Sequence, residues 1–461
     1  MNGCRLGRVG ALVVGIVVWS LAPWAVGGER FELRESIESP RVFKTTAQLQ
    51  VTGKLYTVPD PNKGLKLEVN ARFTYDERRL EGTGREGETL RSLRHYEQAS
   101  ASIEAGGQQS NQLLRERLSL IVAQGKANGV EVFSPSGPLT YGELELLRTP
   151  GDSLAALALL PDAKVELTEP WKPADWVLPL LTGIDAAEKS SLTCRLQSVE
   201  KQTARVRVDG EITGVVLGGA ATIQVTGYYL YDLEHQHLRR IELNQTEKRS
   251  IGPVSPGLEV AAKISLTRTI NAQPQRLTEK LAAELPLEGT EANRLLMFDA
   301  PAWNVRFYHD RHWHLFHQGS ELAILRLLDQ GGLISQCNIK RLPDASPGEH
   351  VAEQEFMGDI ETSLGKNFGE FVQSEKLQLR DGLFVYRVIA AGTVDRKNDK
   401  GEPVAAPMSW AYYLVANRDG RQISFVFTMD PKLSEELRAR DLSIVGGIEF
   451  LPAKPRLTLG K

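Results

Sequence analysis

Two stretches of this chain alternate apolar and polar residues with a period of two, over lengths that only β-strands sustain. The first runs Ala47-Gln48-Leu49-Gln50-Val51-Thr52 and then Leu65-Lys66-Leu67-Glu68-Val69, with the turn-forming Pro59-Asp60-Pro61-Asn62-Lys63-Gly64 between. It predicts an antiparallel hairpin with one face buried. The second covers Ser191–Ser250, where Thr203–Ile212, Ala221–Tyr231 and His237–Glu247 predict three more antiparallel strands, and Gly257–Thr269 a closing one. Between the two, Tyr141–Leu160 carries leucine at helical spacing, interrupted by Thr149-Pro150-Gly151-Asp152. A helix or helix pair packed on the sheet is expected there.

The pattern changes at Asn271–Asn293, where Ala-Gln-Pro-Gln, a charged alanine-rich stretch and Pro286-Leu287-Glu288-Gly289 read as a linker. Beyond it, Trp303–Phe316 predicts a hairpin, Leu333–Ile339 a strand and Glu349–Leu364 a helix. Val372–Ala391 and Trp410–Met429 predict long paired strands, with a tight turn at Asn417-Arg418-Asp419-Gly420. Pro431–Leu442 opens a closing helix. The expected class is α+β: an antiparallel β-rich curved sheet or half-barrel with helices over 28–270, a linker over 271–293, and a smaller α/β/α-type sandwich over 294–461.

The first residues carry an address. Arg5 and Arg8 precede an uncharged, mostly apolar run from Val9 to Val26 that ends Ala25-Val26-Gly27-Gly28. Small residues then stand at the −3 and −1 positions of a cut after Gly27, the layout of an export signal over 1–27. The alternative is an uncleaved anchor, since the run approaches spanning length; Gly10, Gly15 and Pro23 interrupt it and favour cleavage. No later stretch is long and apolar enough to span a membrane as a helix. The expected location is periplasmic or extracellular, with membrane contact only through an uncleaved N-terminus.

With 55 basic and 58 acidic residues the chain is mildly acidic, which argues against nucleic acid as a partner. Once a leader carrying Cys4 is removed, Cys194 and Cys337 remain, in different expected domains. An oxidising compartment permits a disulfide between them, and two buried free thiols are the favoured reading.

Four of the eight histidines fall in Tyr308-His309-Asp310-Arg311-His312-Trp313-His314-Leu315-Phe316-His317. If Asp310-Arg311 were a two-residue turn, His309, His312 and His314 would share one face and could hold Zn²⁺ or Cu²⁺ with a position left open. Against this, the turn lacks glycine and His317 points away. Gly82-Thr83-Gly84-Arg85-Glu86-Gly87 spells a dinucleotide fingerprint, but the charged residues before it are not the buried strand such a motif follows, and a loop is expected. Trp171 and Trp176, with Leu178, Leu180 and Leu181 after them, either rim an apolar ligand cavity or serve as core.

On Trp303-Asn304-Val305-Arg306-Phe307, Ser335-Gln336-Cys337-Asn338-Ile339, the paired strands around Trp410–Val415 and Gln422–Phe427, and the closing run to Phe450, the segment from Pro301 to Pro452 resembles the sandwich shared by the extrinsic photosystem protein PsbP and the Ran-binding factor Mog. That resemblance implies a sheet flanked by helices and an accessory or binding role. In layout, and in Leu159-Leu160-Pro161, Trp171, Trp176 and Gly227–Asp232, the N-terminal block is similar to periplasmic carriers of the LolA and LppX kind and to secreted bacterial proteins without an assigned role. The leading expectation is a non-enzymatic, exported cell-envelope binding or accessory protein without a cofactor, acting on an unknown protein or an apolar small molecule. A carrier of lipid or another apolar ligand is the second, and a metal-dependent enzyme built on His309, His312 and His314 the third.

Overall fold

The computed structural model describes residues 29–35, 41–80, 86–126, 129–285, 288–397, 401–437 and 439–452. The leader and most of the glycine fingerprint lie outside these residues. Among the described residues the strands form three sheets, of thirteen, four and seven strands. The strand Val42–Tyr56 pairs in register with Leu65–Arg79 on one side and with Gly257–Ile270 on the other. The first and last strands of the large sheet's sequence are therefore neighbours, and they join the two alternating stretches. From there the ladder continues antiparallel through His237–Arg249, Gly219–Asp232, Thr203–Val216 and Thr193–Glu200.

Alternation decides which face is buried. Leu49, Phe73, Val206, Ile223, Ile241, Leu243 and Leu266 project to one side and join a single core with Leu144, Leu147, Leu154, Leu157, Leu159, Leu178 and Leu181. The leucine-rich segment thus fills that face, each leucine contributing roughly 1.5–3 kcal/mol by leaving water. It does so with little helix. Tyr141–Leu147 starts on a capping box between Thr140 and Glu143 and is stopped by Pro150 and Gly151; Ala155–Ala158 is a single turn.

The same shortness corrects the expected α+β class. Strands hold 54% and helices 16% of the described residues, so the chain is mostly β. Glu353–Leu364, at 12 residues, is its longest helix there. The closing helix expected from Pro431 is a 3₁₀ turn, Pro431–Leu433, followed by the short helices Ser434–Leu437 and Arg440–Gly446. Pieces this short are marginal on their own and persist because sheet packing holds them.

The linker is not a free tether. Leu277 is fully buried among Val42, Leu80, Leu93, Val122 and Phe133, which fastens 271–285 to the large sheet. Beyond it, Leu296–Ala300 pairs with Val305–His309 and also, in parallel, with Leu139–Thr140 from the first half of the chain. A strand of the four-stranded sheet is therefore borrowed across the expected domain boundary.

The hairpin expected at Trp303–Phe316 does not form. Val305–His309 belongs to the four-stranded sheet, whereas Trp313–Gln318 is an edge of the seven-stranded one and pairs with Ala323–Asp329. Arg311 sits at the break: its guanidinium donates to the carbonyls of Arg294, at 2.8 Å, and of Val132 in the strand Gly129–Phe133 of the large sheet, at 2.9 Å. In the seven-stranded sheet, Phe356 and Ile360 of the long helix cover one face over Tyr386, Met408 and Trp410. Leu437, Ile444 and Val445 cover the other over Phe425 and Phe427. The turn at Asn417–Gly420 forms where expected. Gly420 sits at φ +81°, and a Cβ there would lie 2.2 Å from the Ala345 carbonyl oxygen, so glycine is required.

Candidate binding site

After Leu160 the chain leaves the core through a proline-punctuated stretch. Pro170–Trp171 makes a two-residue pairing with Thr193–Glu200 and so forms the edge of the large sheet, placing Trp171 opposite Cys194. The indole N–H of Trp171 donates to the Leu159 carbonyl at 3.1 Å, and the buried Tyr229 hydroxyl donates to the same oxygen at 3.1 Å. Trp171 is thereby locked in orientation, because its polar handle is satisfied while its ring remains half exposed. Trp176 caps the helix Val177–Thr182 and packs over Gly87, where a Cβ would meet the indole at 3.1 Å.

Both tryptophans line one cavity of about 270 Å³, together with Leu160, Pro161, Pro170 and Pro173. Its rim is charged and exposed: Lys172 pairs with Asp175 at 2.8 Å, and Lys164 with Glu32 at 3.6 Å. An aromatic and proline wall inside a charged rim can hold a small apolar ring, or one side chain of a partner, by exclusion of water.

The histidines are not brought together as a metal site. His309 is buried, and its Nδ1 donates to the Asp310 carbonyl at 2.8 Å. His314 is half-buried on another sheet, its Nδ1 3.4 Å from the Tyr141 hydroxyl. Burial first, then the nearby charges of Arg148, His312 and His309, push His314 down to about 4. His312 and His317 are exposed. No group of three or more His, Cys, Asp or Glu side chains among the described residues is placed to hold a metal ion. The imagined convergence on Zn²⁺ or Cu²⁺ required a hairpin that does not exist. The glycine run also lacks the context of its motif, since Gly87 opens a 3₁₀ turn that leads into the strand Arg91–Ala105 instead of a helix. Cys194 and Cys337 are both buried and unpaired.

Two charged features escaped the sequence reading. The first is a buried ionic network that ties the entering segment 29–35 and the loop after Pro150 to the large sheet. Glu35 accepts from both terminal nitrogens of Arg268, at 2.9 Å each, and from Arg79 at 3.2 Å. Arg94 donates to Glu77 at 3.0 Å and makes a two-pronged contact with Asp152 at 2.8 and 2.6 Å. Ser92 and Ser153 donate to the same Glu77 Oε1, at 2.9 and 2.8 Å, and Oε2 is left buried without a hydrogen bond. Burial pushes the Glu35 carboxyl up, but Arg268 and Arg79 outweigh it and hold it at about 2.

The second is a cleft of about 220 Å³ lined by Glu145, Arg148, Asp185, Glu247 and Arg249 among others. Both features had a readable signal. Glu77 and Arg79 continue the inward parity of Ala71, Phe73 and Tyr75, and Glu247 and Arg249 that of Ile241, Leu243 and Gln245. A charge in the inward register of a strand must find a partner or a cavity.

No family model matches the chain, and no curated protein matches it. Among solved structures the matches, all at low similarity, include two Pseudomonas aeruginosa proteins. One is OccK5 (OpdH), at 7% identity and TM-score 0.13, over 86% of this chain and 97% of that one. The other is the outer membrane protein OprD, at 8% identity and TM-score 0.11, over 88% and 96%. DynF of the dynemicin pathway of Micromonospora chersina is matched at 8% identity and TM-score 0.17, over 55% of this chain and 90% of that one. Such TM-scores are too low for a shared architecture.

Proposed function

We propose that this chain is an exported, non-enzymatic binding protein of the cell envelope, and that Trp171 and Trp176 form its recognition site. The observation that carries the reading is that two half-exposed indoles, five residues apart and each fixed by its own backbone setting, line the same cavity of about 270 Å³. Both rings also pack against the core of the large sheet, and the cavity takes the part of each that the core leaves open. The leader-like N-terminus supports export. The leucine-filled face of the large sheet favours a small apolar ligand, or an apolar side chain of a protein partner, over a lipid held inside the sheet.

Native mass spectrometry of the mature protein and of a Trp171→Ala/Trp176→Ala variant, each purified gently from the exporting host, tests this. The expected result is an adduct, either small molecule or protein, on the wild type that the variant lacks. An adduct retained by the variant, or bare polypeptide in both, would reject the tryptophan cavity as the site.

A further inference from the structure

In the seven-stranded sheet, a cleft of about 450 Å³ opens between the helix Glu353–Leu364 and the strands Pro403–Asn417, Gln422–Met429 and Gly332–Arg341. Strand register builds its floor. Trp410 stands opposite Thr428, and Tyr412 opposite Val426, which faces Asn338 on its other side. Alternation sends Ala411, Tyr413, Phe425 and Phe427 to the core on the opposite face, so the floor side chains point into the cleft. Phe356 and Ile360 of the helix form the wall, and the Phe356 ring meets Tyr412 edge-on with centroids 6.5 Å apart.

This aromatic cleft holds polar groups that the fold leaves unused. Trp410 is 6% exposed, and Tyr412 and Ser424 8% each, and all three line it. Among the described residues, no hydrogen bond within the protein reaches the Trp410 indole N–H, the Tyr412 hydroxyl or the Ser424 hydroxyl. Burial pushes the Tyr412 hydroxyl up to about 12, so it keeps its proton at neutral pH and can donate. Gln336 donates to Asn338 Oδ1 at 3.1 Å, which leaves the N–H groups of that amide to give. The indole N–H can only donate, so what the floor lacks is an acceptor. The charged residues of the cleft, Lys340, Glu355 and Asp359, are exposed at its rim and carry both signs.

We infer that this cleft binds a small neutral aromatic molecule carrying a carbonyl oxygen, with its rings against Phe356, Trp410 and Tyr412 and its oxygen on the donors of the floor. The volume admits two fused rings and excludes a folded partner. A ligand without an acceptor would leave the deeply buried donors unpaired, which costs binding. A charged ligand would meet rim charge of its own sign and find no buried charge of the other sign to hold it.

The test is fluorine NMR of the full mature protein labelled with 5-fluorotryptophan and titrated with coumarin. Coumarin should shift the Trp410 signal saturably and leave those of Trp171 and Trp176 in place. Indole, a neutral two-ring aromatic without a carbonyl, and the anion coumarin-3-carboxylate should each bind about fivefold more weakly or worse. Tyr412→Phe and Ser424→Ala remove hydroxyls that make no contact within the protein, so both variants should fold, and at least one should weaken coumarin about fivefold or more. No saturable Trp410 shift up to about 10 mM coumarin, a range that covers weak affinities, overturns the inference. So does unchanged affinity in both variants, or binding of indole or the carboxylate as tight as that of coumarin. Shifts confined to Trp171 and Trp176 also overturn it, because they put the ring in the tryptophan cavity.

Discussion

Replacing Glu35 by glutamine removes one negative charge from the most buried ionic contact in the large sheet. Its side chain is 1% exposed, and it faces Arg268 at 0% and Arg79 at 4%. Two routes give the cost. The carboxyl is held at about 2 against an ordinary 4.5, which corresponds to about 3 kcal/mol of stabilisation at neutral pH. Breaking a buried pair, which here takes the hydrogen-bonded carboxylate from two guanidiniums and leaves them only the more distant Glu77, typically costs about 3–5 kcal/mol. The sign in pH follows from the direction of the shift. A carboxyl lowered by folding contributes fully above its unfolded value, and that contribution drains away as pH falls from about 4.5 towards about 2. Urea unfolding followed by far-ultraviolet circular dichroism should show Glu35→Gln losing about 3 kcal/mol near pH 7, a midpoint lower by about 1 M or less because the urea dependence steepens with chain size. The gap to wild type should narrow steadily below about pH 4.5. A gap of the same size at both ends of the range would place the loss in shape rather than charge, and a gap under about 1 kcal/mol near neutrality would refute the network's role.

Leu157→Ala, in the segment that fills the large sheet, should cost about 2–5 kcal/mol in the same unfolding experiment, because the core around it cannot collapse fully onto the gap. Burial pushes both thiols well above their ordinary range. Ellman's reagent should therefore label neither Cys194 nor Cys337 in the native protein and both after unfolding, whereas labelling neither without reductant would reveal a disulfide. His314 should titrate at about 4 in an NMR pH series, and since the unfolded chain takes up that proton near 6.5, its burial weakens the fold as pH falls between the two. A midpoint near 6.5 would put this ring in open water.

Most of the strand ladder was legible because period-two alternation specifies both strand and face. Val42–Tyr56, Leu65–Arg79 and the run from Thr203 to Ile270 stand where the pattern puts them. The pattern is silent about partners. Val305–His309 and Trp313–Gln318 each look like half of a hairpin, yet they enter different sheets, and the residue between them, Arg311, is held by the carbonyls of Arg294 and of the distant Val132, a contact no local signal reveals. The leucines of Tyr141–Leu160 were read as helix, and their burial is as expected. Pro150 and Gly151 left too few residues on either side for helix to dominate, so the class moved from α+β to mostly β. Trp171 and Trp176 could be singled out as candidates, but nothing local shows that two rings five residues apart line one cavity. Glu247 and Arg249 continue the alternation of His237–Arg249, and their charge in the inward register is the one local sign that they face a cleft.

Incorporation of 5-fluorotryptophan and fluorine NMR of the mature protein address the recognition site directly. Trp171, Trp176, Trp303, Trp313 and Trp410 give the resonances to follow beyond the leader. Addition of a soluble extract of the host's cell envelope should shift the Trp171 and Trp176 signals together and leave buried Trp313 in place. Signals for Trp171 and Trp176 that stay fixed while another tryptophan moves would place recognition elsewhere on the molecule.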